Sequence, residues 1–147
     1  MNKALKMEHL TLGVCYYPEH WDESLWADDL KRMKEYGVTV FSIADVDRMG
    51  MPAVIEEAIK IATNGTEGIH VSFDVDAITP ESAPGTGTRV HSGLTLREAF
   101  YLVEMLYESK KVLALDMVEV NPMLDIRNQT GEVASELILA TLGKTVY

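Results

Sequence analysis

The amino-acid sequence predicts a layered α/β fold, an open, twisted parallel sheet of four strands with helices on both faces. Three observations carry this expectation. Short β-type runs recur along the chain, stretches of helical period separate them, and residues able to do chemistry cluster at the carboxyl ends of the β-type runs. Strands separated by helices lie parallel and are joined by crossovers, which sandwiches the sheet between helical layers. Four strands are too few to close an eight-stranded barrel, so the sheet is expected to stay open.

The first β-type run is TLGVCYY at 11–17. A helix is expected over about 24–36, with Trp26, Leu30 and Met33 on one stripe and Gly37 placed as its stop. VTVFSIAD at 38–45 reads as the second strand. The second helix starts at Pro52, favoured in a first turn, and carries Val54, Ile55, Ala58, Ile59 and Ala62 before Asn64 and Gly65 end it. IHVSFDV at 69–75 is the third strand, its apolar residues Ile69, Val71, Phe73 and Val75 alternating with His70, Ser72 and Asp74. Thr95 and Glu98 stand three apart, the signature of a capping box, ahead of the stripe Ala99, Leu102, Val103 and Leu106. VLALDMVEV at 112–120 is the fourth strand. A last helix is expected over about 132–142, with Ala134, Leu137, Ile138 and Thr141 inward and Gly143 as its stop.

Composition bounds the rest. A chain of 147 residues is long enough for one domain with a real core, and 47% hydrophobic with 24% charged residues excludes a wholly disordered polymer. A formal charge of −10 without a basic stripe repels a phosphate backbone, so no nucleic-acid partner is expected. Cys15 is the single cysteine and cannot form an intramolecular disulfide. No stretch approaches a membrane span and MNKALKMEHL lacks an apolar signal region, so no membrane partner and a cytoplasmic location are expected.

The chemistry concentrates in IHVSFDVDAITPESAPG at 69–85, where a strand delivers Asp74 and Asp76 into a long Gly-, Pro-, Ser- and Thr-rich loop. In parallel sheets ligands bind beyond the carboxyl ends of the strands, where Asp74, Asp76 and Glu119 fall, as do Tyr17, Glu19 and His20. Two aspartates one residue apart are either metal ligands or the polar cap of a strand.

From about 41 to 147 the chain carries FSIADVDRMGM, SFDVDAITPESAPGTGT, GLTLREA, MVEVNP and the closing helix. In these motifs and their order it resembles the C-terminal part of the arginases, the manganese ureohydrolases. The resemblance implies manganese ligation by Asp74 and Asp76, a substrate-site role for Thr88 of the GTGT loop, and a Glu119 that faces a substrate guanidinium. Ala77-Ile78-Thr79-Pro80 departs from the Gly-Leu-Asp-Pro common in that family. The family's earlier histidine ligand and its DAHxD-type motif, which supply the other four metal ligands, have no match here.

Residues 11–44, with YYPEHW followed by W-x-x-D-x-x-x-M-K, resemble the first strand, helix and second strand of a β-galactosidase TIM barrel. A retaining glycosidase needs two carboxyls flanking the scissile bond. That family's acid and nucleophile glutamates have no counterpart, so glycosidase activity is not expected. Together the two resemblances imply a recombined or engineered chimera, joined near Phe41 to Asp45. It would be a single domain whose flavodoxin-like sheet has the strand order 2-1-3-4. The leading expectation is a folded scaffold without evolved catalytic activity, which requires no cofactor and whose aspartates are inherited and idle. The alternative is an arginase-like ureohydrolase or a weak divalent metal binder using manganese.

In that sheet Glu19 and His20, ending strand one beside strand three, are speculative additional metal ligands; the competing reading is a solvated loop. His70 is expected to be a satisfied core histidine, His91 a surface residue, and Cys15 buried and inert. The G-x-G at Gly85 and Gly87 opens no helix and is a weak phosphate signal. Trp21 and Trp26 are not expected to form a sugar platform. An open edge at strand two or four makes self-association into a homo-oligomer the expected protein contact.

Overall fold

The computed structural model describes residues 22–145. The chain divides into two units, Met1–Ser42 and Ile43–Tyr147. In the first, helix α1 spans Glu23–Glu35 and is capped by Asp22, whose side chain accepts from the Ser24 N–H at 2.9 Å. It closes in a Schellman motif: Val38 N–H donates to the Met33 carbonyl and Gly37 N–H to that of Lys34. Gly37 adopts φ +76°, the left-handed conformation a helix stop requires.

The second unit opens on helix α2, Ile43–Met49, in the stretch expected to complete a strand. Residues 38–42 carry no regular structure and VTVFSIAD is not a strand. The alternation of Val38, Val40 and Phe41 is short, and it runs directly into Ser42, a residue type favoured just before a helix. Asp45 and Arg48, three apart on the helix surface, form an ion pair at 2.6 Å. Gly50 separates α2 from helix α3, Met51–Ala62, where Pro52 sits in the first turn as expected. Met51, Val54 and Ile55 of α3 are buried.

Strand β1, Ile69–Asp74, runs parallel to strand β2, Val112–Val118, from Ile69 opposite Val112 to Asp74 opposite Val118. Helix α4, Leu96–Ser109, makes the crossover. Its capping box is complete: Thr95 Oγ1 accepts from the Glu98 N–H, and the Glu98 carboxylate accepts from the Thr95 N–H at 2.8 Å. Helix α5 spans Gln129–Thr141, three residues earlier at its start than the sequence pattern suggests.

One core joins these pieces. Val71 and Phe73 of β1, with Leu115 and Met117 of β2, face Ala99, Phe100 and Val103 of α4 and Leu137 and Ala140 of α5. Both helices thus cover the same sheet face. On the opposite face His70, Ser72, Ala114 and Asp116 are exposed, so among the described residues of this unit only one of the two expected helical layers is seen. Among the described residues the sheet is two-stranded, and the neighbouring parallel pair matches the expected strands three and four. The expected strand 11–17 lies outside the described residues, so the order 2-1-3-4 is visible only in its 3-4 part.

Two substitutions probe this packing. Leu137 is fully buried while Leu139 is 43% exposed. Leu137→Ala is expected to lower stability by about 3 kcal/mol and Leu139→Ala by about 1 kcal/mol or less, read from urea midpoints. Thr86 is 1% exposed, and its hydroxyl has no hydrogen-bond partner among the described residues. Thr86→Val, which removes that hydroxyl at constant shape, is expected to raise the unfolding temperature, a gain of about 1 kcal/mol.

Candidate functional site

Parallel pairing fixes where the carboxylates meet. β1 and β2 end on the same edge, so Asp74 at the end of β1 and Glu119 just past β2 emerge side by side. The chain turns sharply after β1 into a single 3-10 turn, Val75–Ala77, and Asp74 caps it: its Oδ1 accepts from the Asp76 N–H at 3.0 Å. Val75 is wholly buried, which throws Asp74 and Asp76 to the same side of it, both half-buried. Asp74 is therefore a turn cap as well as a candidate ligand.

Crowding of like charges sets the electrostatics. Burial pushes the Asp76 carboxyl up to about 6, helped by the adjacent Asp74 charge, a hydrogen bond with Asp74 and the Glu119 charge. Three acidic groups thus share one end of the sheet. Glu119 sits at φ +62°, a left-handed backbone unusual for a residue with a side chain.

The two ends of the loop after the turn meet. Ile78 bridges Leu94, Leu94 N–H donates to the Ala77 carbonyl at 2.7 Å, and Thr79 N–H donates to that of Leu94 at 3.0 Å. Farther along, Gly85 N–H donates to Thr130 Oγ1 at 2.7 Å, and the Gly85 carbonyl accepts from Asn121 N–H at 2.8 Å. Arg89 Nε donates to the Pro84 carbonyl, and Gln129 Nε2 donates to those of Glu81 and Ser82. Asp125 anchors the start of α5, accepting from the N–H groups of Ile126, Thr130 and Gly131. Although burial, the largest influence, pushes its carboxyl upward, these amide bonds and the Thr130 hydroxyl together hold it below the ordinary aspartate value. A Cβ on Gly85 would lie 2.6 Å from the Asp125 side chain, so only glycine fits there.

The structure thus brings together Asp74, Asp76 and Glu119. Thr88 and His91 are exposed on the loop. His70 is not a core histidine: it lies on the open sheet face and its Nε2 meets Asp116 Oδ2 at 2.8 Å. Strand alternation with Phe73 inward places every even-numbered residue of β1 outward. Cys15, Glu19, His20 and Trp21 lie outside the described residues, and Trp26 falls within α1. Asp125, Thr130, Gly85 and Asn121 form a hydrogen-bonded frame that reaches the chain two residues past Glu119, and beyond the weak G-x-G signal at Gly85 sequence reasoning does not mark them as functional. The acidic residue ahead of an apolar helical stripe is the other local signal that points to them.

Two carboxylates and a neighbouring third, all hard oxygen donors of one sign, suit a divalent cation such as manganese in charge and chemistry. They supply part of a shell: among the described residues no group of three or more His, Cys, Asp or Glu side chains is gathered closely enough to hold a metal ion. Among the described residues no helix is long and apolar enough to cross a membrane.

Comparison with known proteins agrees with this geometry. The arginase family model matches residues 20–143. The arginase of Bacillus caldovelox is 40% identical over 141 residues, 95% of this chain and 44% of that protein. Its native structure superposes with a TM-score of 0.75 at 40% identity, covering 82% of this chain and 40% of that one. The arginase of Bacillus subtilis superposes with a TM-score of 0.74 at 41% identity, covering 80% of this chain and 42% of that one. The chain thus spans less than half the length of the curated relatives it matches. The similarity runs through residues 20–44, within the barrel-like stretch, so the β-galactosidase segment and the chimeric origin gain no support. Matched to that family along most of its length and superposing on its solved members, with two strand-end aspartates on a parallel sheet, the molecule belongs to the arginase family.

Proposed function

We propose that this chain carries the strand-end carboxylate part of an arginase-type ureohydrolase site, which hydrolyses a guanidinium compound to urea. The observation that supports this reading is the convergence of Asp74, Asp76 and Glu119 at the carboxyl ends of β1 and β2, with Asp76 raised by burial and by its like-charged neighbours. Such a cluster favours positive charge. Asp74 and Asp76 would hold the divalent cation, for which the family resemblance implies manganese. Glu119, on the adjacent strand end, offers a planar carboxylate to a planar guanidinium, the pairing with the best bidentate match. When bound, a metal pair supplies a hydroxide nucleophile at neutral pH. The loop 78–93 is anchored beside this end of the sheet through Ala77, Leu94 and Asn121.

The decisive experiment is thermal unfolding of metal-stripped protein with and without excess Mn²⁺, followed by a urea-release assay with arginine. A ligand at a hundred times its dissociation constant stabilises the native state by about 2.7 kcal/mol, which is several degrees for a domain of this size. The expected shift disappears in Asp74→Ala and Asp76→Ala, and Glu119→Gln is expected to abolish urea release while keeping the shift. Superimposed melts would refute the reading.

The raised Asp76 carboxyl makes a pH prediction for the metal-free protein. Its folded value of about 6 exceeds the ordinary 3.8, so the folded state holds the proton more tightly. The stability this contributes is complete below about pH 3.8 and is lost as pH rises through about 6. Compared with Asp76→Asn, the parent protein is expected to lose stability between about pH 4 and pH 7. Solvent screening of this half-exposed group limits the loss to about 1 kcal/mol. Urea midpoints of both proteins in chelator measure it; a pH-independent difference would show that neither burial nor the neighbouring carboxylates raise Asp76.

A further inference from the structure

Glu119 presents its carboxylate from a backbone conformation that residues with side chains avoid, and such a conformation persists only where the surroundings impose it. Two residues on, the Asn121 N–H is fixed by the Gly85 carbonyl. Gly85 is fixed in turn by the Thr130 hydroxyl, and Thr130 is wholly buried. Thr130 is held by Asp125 through its own N–H at 3.0 Å. The path from the start of α5 to Glu119 is therefore continuous, and it is assembled from groups 45 residues apart in the chain.

We infer that Thr130, held by Asp125, is a positioning residue for Glu119: the hydrogen bonds from Thr130 through Gly85 to Asn121 set the left-handed turn that presents the Glu119 carboxylate beside Asp76. Asp74 and Asp76 are placed independently, by β1 and its 3-10 turn. The relay thus tunes recognition of the guanidinium group and leaves cation binding alone. The substrate part of this inference rests on Glu119 being the guanidinium partner.

The test uses the full chain with Thr130→Val, which keeps the shape and removes the acceptor, and Thr130→Ser, which keeps the hydroxyl. In metal-free protein, amide hydrogen exchange at Asn121 is expected to accelerate about tenfold in Thr130→Val, the loss of one hydrogen bond's protection. The Glu119 amide resonance should move, strand amides of Val71 and Phe73 should not, and Thr130→Ser should restore the parent pattern. By calorimetry on Mn²⁺-loaded protein, arginine affinity is expected to fall about tenfold in Thr130→Val while Mn²⁺ affinity stays within about twofold. If Thr130→Val does not fold, Asp125→Asn is read in the same way, with the same expected pattern in smaller amplitude.

Unchanged exchange at Asn121 and an unmoved Glu119 resonance would overturn the relay. So would an arginine affinity that ignores the substitution, or one that falls in step with Mn²⁺ affinity. Parent protein that takes no arginine while Asn121 and Glu119 still respond to Thr130→Val would uphold the relay and refute the guanidinium reading of Glu119.

Discussion

The constraint on which the rest of this structure depends is the parallel pairing of β1 and β2. Because α4 returns the chain to the starting edge, both strands must end at the same edge. That single fact of direction turns residues 45 positions apart, Asp74 and Glu119, into neighbours. An antiparallel pairing of the same strands would send the two carboxylates to opposite ends. The core then secures the pairing: alternate residues of both strands face α4 and α5, and a one-residue slip in either strand would turn Phe73 or Met117 to water.

The edge so created is acidic, and the chain builds it with little regular structure. The loop 78–93 has no helix or strand of its own, yet its backbone is tied at both ends to Leu94 and Ala77, and in the middle to Thr130 and Asn121. These bonds satisfy backbone groups that would otherwise lie buried and unmet beneath the loop. Side chains from α5 serve the loop as an external frame, Gln129 at Glu81 and Ser82, Thr130 at Gly85. Asp125 organises that frame by collecting three N–H groups in one carboxylate.

Legibility from sequence tracks the range of the interaction responsible. The capping box of Thr95 and Glu98, the Pro52 start and the Gly37 stop are contacts within four residues, and each stands where the pattern places it. The stretch 38–45 misleads because a brief alternation of apolar residues resembles a strand, while α2 is maintained by packing against α3 that sequence does not display. The core assignment of His70 fails because alternation alone does not say which face a sheet leaves open. The aspartates are legible as a motif and as strand-end residues. The Asp125, Thr130 and Gly85 frame is not, since its members carry no common period and meet only after folding.

Glu119 occupies a backbone position that glycine would fill more comfortably. Selection for stability alone would therefore empty that position of its carboxylate, since a glycine would relax the turn and still leave Asn121 its bond to Gly85. Fold and site pull in opposite directions at this one residue. Optimising this scaffold for robustness would erode the site there first, and the melt would record that loss only as a gain.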